Sequence, residues 1–392
     1  MSGVAIVSGC RTPIGDFNKS LSSISPAELG GIAISGALSR ARVEPTEVGL
    51  CVMGQVLYAG EGQCPARQAA VRAGIPHSVP SFNVNMVCGS GMVAIVNAHN
   101  HILLNPNDIV VAGGQESMSR APHLMQIRSP KPMGNTECKD SMVHDALTCP
   151  FNQYHMGITA ENVAEKYEIS RHDQDTFAAL SQTRANEAMN NGIFSDEIVP
   201  VKITTRKATT MMEKDEHPRE TTLDGLKKLR PCFKTDGTVT PGNCSSINDG
   251  GSACVLMSRD LTSSRGAETL GYIVSSAMVG CDPAFMGMGP VPAVRAAIEK
   301  AGWRLEDVDL FEINEAFAAQ SVAVVKELGI PVTKVNINGG AIALGHPVGV
   351  SGNRIVITLL YSLARLGLKR GVASLCIGGG MGIALCLERE VN

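Results

Sequence analysis

Two segments of this chain that lie far apart resemble each other closely enough to indicate an internal duplication. Residues 37–54 read ALSRARVEPTEVGLCVMG and residues 297–314 read AIEKAGWRLEDVDLFEIN, and Val48 and Val308 set an offset of 308 − 48 = 260 residues. Each segment is a helical pattern, a polar turn and then an apolar strand-like run. Two further pairs follow in the same order: DIVVAGGQE with VASLCIGGG, and FNVNMVCGSG with VNINGGAIALGHPVGVSG. We therefore predict two copies of one βαβ-type half and not a short solenoid repeat.

The alternation of strand-like and helical patterns in each copy limits the fold class. Such an alternation predicts an α/β protein whose sheets are mainly parallel and are covered by helices. In these folds the loops at the strand ends carry the functional groups. At 392 residues the chain is also too long for one ordinary core, so we expect at least two domains.

The sequence between the two copies is of a different kind. From about residue 119 to residue 248 it is rich in Met, Pro, Lys, Thr and His, with the polar, poorly periodic stretch TRKATTMMEKDEHPRETTLDGLKKLRP. Such sequence is typical of exposed segments. We predict an insertion at residues 119–248, an N-terminal half at 1–118 and 249–270, and a C-terminal half at 271–392. The basic residues of the insertion either meet an anionic ligand or form a solvated surface, and the second interpretation is simpler.

Composition and motifs exclude several classes of function. The net charge is −3, aromatic residues make up 4% of the chain, and Trp303 is the only tryptophan. Nucleic-acid binding would need a basic footprint or aromatic stacking platforms, so we do not expect it. The sequence also lacks a G-x-x-x-x-G-K-[ST] phosphate loop, a G-x-S-x-G elbow and a zinc-type His/Cys spacing.

Cysteine usage and the terminal sequence give an expectation for the compartment. The 12 cysteines are scattered and no C-x-x-C pair occurs, which indicates reduced thiols and not a disulfide framework. No apolar run reaches the ~20 residues of a membrane helix, and the start, MSGVAIVSGC, has no basic or Arg-rich presequence. We expect a cytoplasmic protein with no membrane partner, although a cleaved mitochondrial presequence would leave no trace.

Four residues stand where a strand-like run meets glycines or a helical pattern. Cys88 precedes Gly-Ser-Gly in FNVNMVCGSGM, and it is either a small buried apolar residue or a nucleophile whose pKa is lowered at the positive end of a helix. His346 lies in the glycine-rich GGAIALGHPVGVSG, and Cys376 ends a strand-like run in LCIGGGMG. Asn314 in INEAFAAQ is interpreted most simply as the N-cap of a helix.

Together these four residues indicate a chemistry that none of them indicates alone. They fall at equivalent ends of the duplicated halves, where α/β folds gather their active sites. A thiolate with a histidine partner can carry an acyl group. A second cysteine, whose thiol pKa of ~8.5 can be brought toward neutrality, suits proton transfer at a carbon acid. Glycine N–H groups and an Asn amide could hold an oxyanion. The sequence predicts acyl transfer through a thioester, with carbanion chemistry on a second substrate.

These motifs resemble those of the thiolase family. The resemblance rests on VCGSG around Cys88, NEAFA from Asn314, GGAIALGHPVGVSG around His346 and CIGGGMGIA from Cys376, with YHMGITAEN around His155 as a further match. It covers essentially the whole chain. It implies the five-layered αβαβα thiolase fold, built from duplicated halves, with an inserted loop domain that binds coenzyme A (CoA).

The resemblance implies the activity of an acetyl-CoA C-acetyltransferase, which condenses two acetyl-CoA into acetoacetyl-CoA and CoA or runs the reverse thiolysis. Cys88 would take the acetyl group as a thioester, with His346 raising its nucleophilicity. Cys376 would remove a proton from the methyl group of the second acetyl-CoA. Asn314 would hold a water that forms one oxyanion hole with His346. The backbone N–H groups of Cys88 and Gly378 would form the other.

The resemblance also implies substrate contacts and partners. The contact residues are Leu147, His155, Arg219, Phe233, Ser245, Met286, Ala316 and Phe317. Arg219 stands one residue off the family spacing, Pro241 and Cys244 replace the smaller residues usual in the coenzyme pocket, and MGMGP from Met286 is similar to the short-chain form. No metal, nucleotide or flavin is implied, because the CoA thioester carries the activated group. A homotetramer is implied.

Two other functions stay open. One is a degradative 3-ketoacyl-CoA thiolase with a wider pocket. The dependence of thiolysis on acyl chain length would distinguish it from the short-chain enzyme. The other is a catalytically silent acyl-CoA-binding paralogue, which would bind without acetylation of Cys88. A condensing enzyme of the ketoacyl-synthase type is disfavoured, because that chemistry uses two histidines, or His and Asn, where this chain offers Cys376.

Overall fold

The secondary structure repeats the duplication seen in the sequence. A computed structural model describes residues 3–129, 132–204, 206 and 208–390. The strands are β1 (Val4–Arg11), β2 (Gly15–Asp16), β3 (Val48–Gly54), β4 (Ser81–Val84), β5 (Ile109–Ser117), β6 (His123–Leu124), β7 (Lys139–Asp140), β8 (Val201–Thr204), β9 (Thr209–Met212), β10 (Asn248–Ser258), β11 (Gly271–Gly280), β12 (Leu310–Ile313), β13 (Arg370–Ile377) and β14 (Met381–Glu388). The helices are α1 (Pro26–Ala41), α2 (Pro65–Arg72), α3 (Ser90–Leu104), α4 (Met156–Lys166), α5 (Arg171–Asn190), α6 (Leu223–Lys227), α7 (Arg259–Arg265), α8 (Pro290–Ala301), α9 (Ala318–Leu328), α10 (Ala341–Leu344) and α11 (Ser351–Leu366).

The two halves of the main sheet share one pairing pattern. In the first half β3 is parallel to β4 and β5, and β10 is antiparallel to both β5 and β1. In the second half β12 and β13 are parallel, and β14 is antiparallel to both β13 and β11. A parallel bridge between Phe311 and Val335 takes the place of the β3–β4 pairing. A short antiparallel pairing of β1 with β11 joins the halves. The predicted duplication is therefore confirmed.

The prediction of mainly parallel sheets is wrong. Antiparallel pairs predominate in the main sheet, from β5 through β10, β1, β11 and β14 to β13. The reason is clearest between β13 and β14, which are separated only by residues 378–380. A connection that short permits a hairpin, whereas parallel neighbours need a crossover of a dozen or more residues.

Helices α3 and α11 lie between the two halves of the sheet. One apolar cluster joins Ile95 of α3 and Leu359 of α11 to Val52 of β3 and Leu375 of β13. A second cluster packs α1 and α2 on the outer face of the first half, and a third packs α8 and α9 on the outer face of the second half. The order is helix, sheet, helix, sheet, helix, which is the five-layered arrangement that we expected.

The two central helices approach each other through glycines. A Cβ atom on Gly91 of α3 would lie 2.8 Å from the backbone nitrogen of Asn353, and one on Gly352 of α11 would lie 2.6 Å from the backbone nitrogen of Met92. Any larger side chain at either position would therefore push the two backbones apart. This approach brings the first turns of the two helices together.

Helix α3 also meets a simple length and composition criterion for a membrane span. The window Val87–Leu104 covers 18 residues with a mean hydropathy of 1.2, and half of it is buried inside the protein. Buried core helices meet the same criterion, so this is weak evidence for a span. The expectation of no membrane partner stays a prediction.

The chain between the neighbouring strands β5 and β10 contains β6–β9, α4–α6 and one π-helical turn, Met142–Leu147. It includes the residues predicted to form an insertion, and the predicted domain boundaries stay a prediction. Its link to the first half is a buried ion-pair network around Arg11 of β1. Arg11 donates to Asp215 at 2.6 and 2.9 Å and to Glu197 at 2.7 Å, and all three side chains are buried.

Replacing Arg11 by methionine would leave the carboxylates of Asp215 and Glu197 buried without their cation. We expect Arg11→Met to lower the free energy of unfolding by about 3–5 kcal/mol, as for other broken buried pairs, with a lower midpoint in thermal unfolding. The control is Arg304→Met, because Arg304 is exposed and pairs with Asp307 at 2.8 Å on the surface, where such pairs contribute little. Equal melting shifts in the two variants would contradict a stabilising role for the buried network.

Candidate active site

A cavity of about 570 Å³ opens beside the N-terminus of α3. All of the predicted substrate contacts line it, namely Leu147, His155, Arg219, Phe233, Ser245, Met286, Ala316 and Phe317, together with Cys88, His346 and Gly378. Cys376 and Asn314 lie in buried positions outside its lining. The geometry therefore gathers the predicted residues around one space, although the role of each residue stays a prediction.

Some lining residues were missed in the sequence. They are Asp16, Phe17, Met118, Ala146, Met156, His217, Cys232, Ser246, Ile247 and Val348. Met156 and Val348 belong to the quoted motifs YHMGITAEN and GGAIALGHPVGVSG and could have been included on that ground. Asp16, Phe17 and His217 lie in segments with no motif, and only the folding of the chain brings them to the cavity.

Cys88 is held in a strained turn between β4 and α3. The preceding residue, Val87, has a φ of +46°, which is rare for a β-branched residue and needs support from its surroundings. The hydroxyl of Ser90 provides that support, because it donates to the carbonyl of Val87 at 2.7 Å and accepts from the N–H of Met86 at 2.9 Å. Gly89 is the N-cap of α3. The predicted helix start after Cys88 is confirmed.

His346 reaches Cys88 from the other half of the chain. Its Nε2 lies 3.3 Å from the Cys88 Sγ, and its Nδ1 lies 2.6 Å from the Ser351 Oγ. The Ser351 hydroxyl donates to the carbonyl of Pro347 at 3.1 Å, so its oxygen is free to accept a hydrogen from His346 Nδ1. This arrangement assigns the ring hydrogen to Nδ1 and leaves the Nε2 lone pair facing the thiol.

Burial keeps both partners of this pair neutral at rest. It lowers the pKa of His346 to about 4, with a further lowering from the positive charge of Arg354. It raises the pKa of Cys88 to about 11, although the backbone N–H groups of Gly378 and of Cys88 itself favour the thiolate. The N–H groups at the helix terminus favour the thiolate, as predicted, but the expected net lowering of the Cys88 pKa does not occur, because removal of the sulfur from water outweighs their attraction.

Cys376 and Asn314 complete the group. Cys376 is buried in β13, and its pKa is raised by burial and then by any charge on Cys88. The expected shift of the Cys376 pKa toward neutrality therefore does not occur. Asn314 Nδ2 lies 3.5 Å from His346 Nδ1, and its buried Oδ1 has no partner within the described residues. The N-cap interpretation of Asn314 is wrong, because α9 begins at Ala318 with Phe317 as its N-cap.

The loops that carry these residues are tied together by Glu116, which sequence reasoning did not single out. Its buried carboxylate accepts N–H groups from Val56 at 2.9 Å, Leu57 at 3.1 Å and Gly349 at 3.0 Å. Burial raises the pKa of Glu116 to about 8, against the effect of those N–H groups. This contact joins a loop of the first half to the loop after His346.

The apolar wall of the cavity is formed by stacked rings. His155 lies on Phe233 with ring centroids 4.7 Å apart, and Phe233 meets the edge of Phe317 at 6.3 Å. His155 is the N-cap of α4 and accepts from the N–H of Gly157 at 3.0 Å through Nδ1. Within the described residues, no three His, Cys, Asp or Glu side chains form a group that could hold a metal ion. All 12 cysteines are free thiols, as expected.

Comparison with known proteins is consistent with this arrangement. Residues 4–260 match the N-terminal domain of thiolase, and residues 267–389 match its C-terminal domain. The cytosolic acetyl-CoA acetyltransferase of Rattus norvegicus is 53% identical over 389 residues, which are 98% of both chains. The acetyl-CoA acetyltransferase of Bacillus anthracis has a structure with a TM-score of 0.97, 44% identity and 99% coverage of both chains. Human mitochondrial 3-ketoacyl-CoA thiolase in complex with CoA has a TM-score of 0.95 and 42% identity, over 99% of this chain and 98% of that one. On this evidence the chain belongs to the thiolase family.

Proposed function

We propose that this protein is an acetyl-CoA C-acetyltransferase, which condenses two acetyl-CoA into acetoacetyl-CoA and CoA and catalyses the reverse thiolysis. The observation that carries the proposal is the 3.3 Å contact between the Cys88 Sγ and the His346 Nε2 at a cavity of about 570 Å³. A nucleophile and a correctly oriented base at hydrogen-bond distance are the requirement for covalent acyl transfer. The names of the rat and Bacillus anthracis relatives support the same activity.

In the first half-reaction Cys88 takes the acetyl group. His346 Nε2 accepts the thiol proton as the sulfur attacks the thioester carbonyl, so that a thiolate forms only when a substrate is in place. The carbonyl oxygen gains negative charge, and the N–H groups of Cys88 and Gly378 are the donors that we assign to it. The carbon–sulfur bond to CoA then breaks, and CoA leaves with the proton from His346. The product is acetyl-Cys88.

In the second half-reaction Cys376 takes a proton from the methyl group of a second acetyl-CoA. The carbanion attacks acetyl-Cys88, and the enolate oxygen is stabilised by a water on Asn314, whose buried Oδ1 has no partner within the described residues. His346 adds to this stabilisation when its Nε2 carries a proton. The bond to Cys88 breaks and acetoacetyl-CoA forms. The proton that Cys376 took then passes to the Cys88 sulfur, so that Cys376 is again a thiolate and Cys88 a thiol. Acetyl-Cys88 cannot ionise, so it cannot raise the pKa of Cys376 at this stage.

We further propose that CoA thioesters are the substrates, that the enzyme acts as a homotetramer, and that it works in the cytoplasm. The human relative was solved in complex with CoA and the rat relative is named cytosolic, which supports the first and third statements. The tetramer rests on the sequence resemblance alone. The CoA thioester supplies the activated acyl group, so the chemistry requires no further cofactor.

Removal of the nucleophile should abolish turnover. We expect Cys88→Ala to reduce kcat for thiolysis of acetoacetyl-CoA by a factor on the order of 10⁴ or more, followed as loss of enolate absorbance. Wild type incubated with acetyl-CoA should gain the mass of one acetyl group on the peptide that contains Cys88. The control is Cys138→Ser, because Cys138 is exposed and does not line the cavity. Binding of CoA without any turnover by wild type would instead support the catalytically silent alternative.

The acyl chain length separates the proposed enzyme from a degradative 3-ketoacyl-CoA thiolase. The cavity is lined by the bulky side chains of Leu147, Met286 and Phe317, so we expect kcat/KM for thiolysis to be highest with acetoacetyl-CoA and to fall with each longer 3-ketoacyl chain. Steady-state rates over a series of chain lengths, with a 2-methyl-branched substrate included, would measure this. A kcat/KM that rises with chain length would favour the degradative alternative.

Ser351 should act as a positioning residue for His346. Ser351→Ala removes the acceptor at 2.6 Å from Nδ1 and allows the ring hydrogen to move to Nε2, which then has no lone pair for the thiol. We expect kcat to fall about 10- to 100-fold with little change in KM, and Ser351→Thr to restore part of kcat because it retains a hydroxyl. Parallel losses in kcat and in thermal stability for both variants would indicate a purely structural role.

A further inference from the structure

One end of the cavity carries three ionisable side chains. Asp16, Phe17, His217 and Arg219 line it, and Phe17 and Arg219 are exposed. This end therefore reaches solvent, whereas His346 in the same lining is buried. None of these four residues takes part in the acyl-transfer chemistry described above. We call this end the rim.

His217 is held at the rim by a carboxylate. Its Nδ1 lies 2.6 Å from the Asp16 Oδ1, and a carboxylate only accepts, so the ring donates its Nδ1 hydrogen to Asp16. The side chain is 8% exposed, and Nε2 has no hydrogen-bond partner within the described residues. Nε2 is therefore an acceptor when the ring is neutral and becomes a charged donor when the ring is protonated.

The neighbouring charges nearly cancel. Lys19 pairs with Asp16 at 2.8 Å, and Glu216 accepts from the Asp16 N–H at 2.9 Å and from the Ser20 hydroxyl at 2.6 Å. Within the described residues the Arg219 guanidinium has no ion-pair partner. The two carboxylates (Asp16 and Glu216) and the two cations (Lys19 and Arg219) have a net charge of zero when His217 is neutral. Protonation of His217 therefore gives this group of side chains a net charge of about +1.

We propose that His217, oriented by Asp16, is a proton-dependent contact for a phosphate group of CoA. The proposal rests on the function proposed above, because a CoA whose sulfur is at Cys88 must extend its phosphate-bearing end toward the open side of the cavity. The protonated Nε2–H and the unpaired Arg219 guanidinium would then form charge-assisted hydrogen bonds to phosphate oxygens. The rim would thus make the affinity for CoA depend on pH.

The sign of the pH effect follows from the charges. Burial lowers the pKa of His217 from its ordinary value, against the raising effect of Asp16, and Arg219 and Lys19 lower it further. The free protein therefore holds His217 neutral at neutral pH. A bound phosphate raises that pKa, so binding takes up a proton. Affinity for CoA should be highest below the pKa of the free protein and should decrease as pH rises through the pKa of the complex.

The experiment compares wild type with His217→Asn, which retains a donor for Asp16 but does not titrate. The KM for CoA is measured in the thiolysis of acetoacetyl-CoA between about pH 6 and pH 8. We expect the ratio of the wild-type KM to the KM of His217→Asn to increase about three- to tenfold from the lower to the higher pH. The control is His101→Asn, because His101 also pairs with an aspartate, Asp108, at 2.7 Å but does not line the cavity. The variant His101→Asn should show the same pH dependence of KM as wild type. The CoA phosphate also titrates, but it does so equally with all three proteins, so its effect cancels when their KM profiles are compared.

Truncated acceptors identify the group that His217 contacts. If wild type and His217→Asn show the same pH dependence of KM with 3′-dephospho-CoA, the contact is to the 3′-phosphate. If they still differ with 3′-dephospho-CoA but not with pantetheine, the contact is to the pyrophosphate. A difference that persists with pantetheine, or identical CoA profiles for wild type and His217→Asn, would overturn the proposal. If wild type shows no turnover, the proposed function fails. Calorimetric titration with CoA over the same pH range then tests the rim contact by itself, and equal pH dependence in both proteins would overturn it.

Discussion

The active site depends on the contact between α3 and α11 at Gly91 and Gly352. Because neither residue has a side chain, the two backbones touch, and the first turns of the two helices converge. Cys88 just before one helix and His346 just before the other are thereby brought within 3.3 Å, although 258 positions separate them in the chain. A larger residue at either glycine would separate Cys88 from His346. Glu116 reinforces the same convergence, because its carboxylate holds loops from both halves.

The same convergence determines the electrostatics of the site. Placing a thiol, an imidazole and a second thiol between two sheets removes them from water, and the loss of hydration favours the neutral form of each group. The resting site therefore holds a neutral Cys88 and a neutral His346. In the proposed mechanism, reactivity then depends on the substrate, whose carbonyl accepts the electron pair while the proton moves to His346, which Ser351 orients. A neutral thiol is also less nucleophilic toward other electrophiles than a thiolate would be.

The long segment between β5 and β10 contributes the outer part of the cavity. Leu147, His155, Phe233 and Ser245 all come from it, and the buried Arg11 network holds it against the first half. The duplicated halves thus supply the groups proposed to react, while this segment supplies most of the wall and two of the four rim residues, His217 and Arg219. The separation is consistent with its irregular, polar sequence, since a surface segment can change without disturbing the close packing of the central helices.

The sequence by itself determined the duplication, the α/β class and the positions of Cys88, His346, Cys376 and Asn314, because helical and strand-like periodicities and glycine-rich turns are local properties of the chain. The strand directions, the ionisation of the thiols and the true place of Asn314 before α9 were decided by the tertiary structure. These three properties depend on connection lengths, on burial and on contacts between distant residues, and none of them can be predicted from local sequence patterns. The pairs Asp16–His217 and His346–Ser351 illustrate the difference. Ser351 lies in the same glycine-rich motif as His346, so the sequence already placed the two residues close together. Asp16 and His217, in contrast, are 201 positions apart, and only the folding of the chain around one cavity brings them into contact.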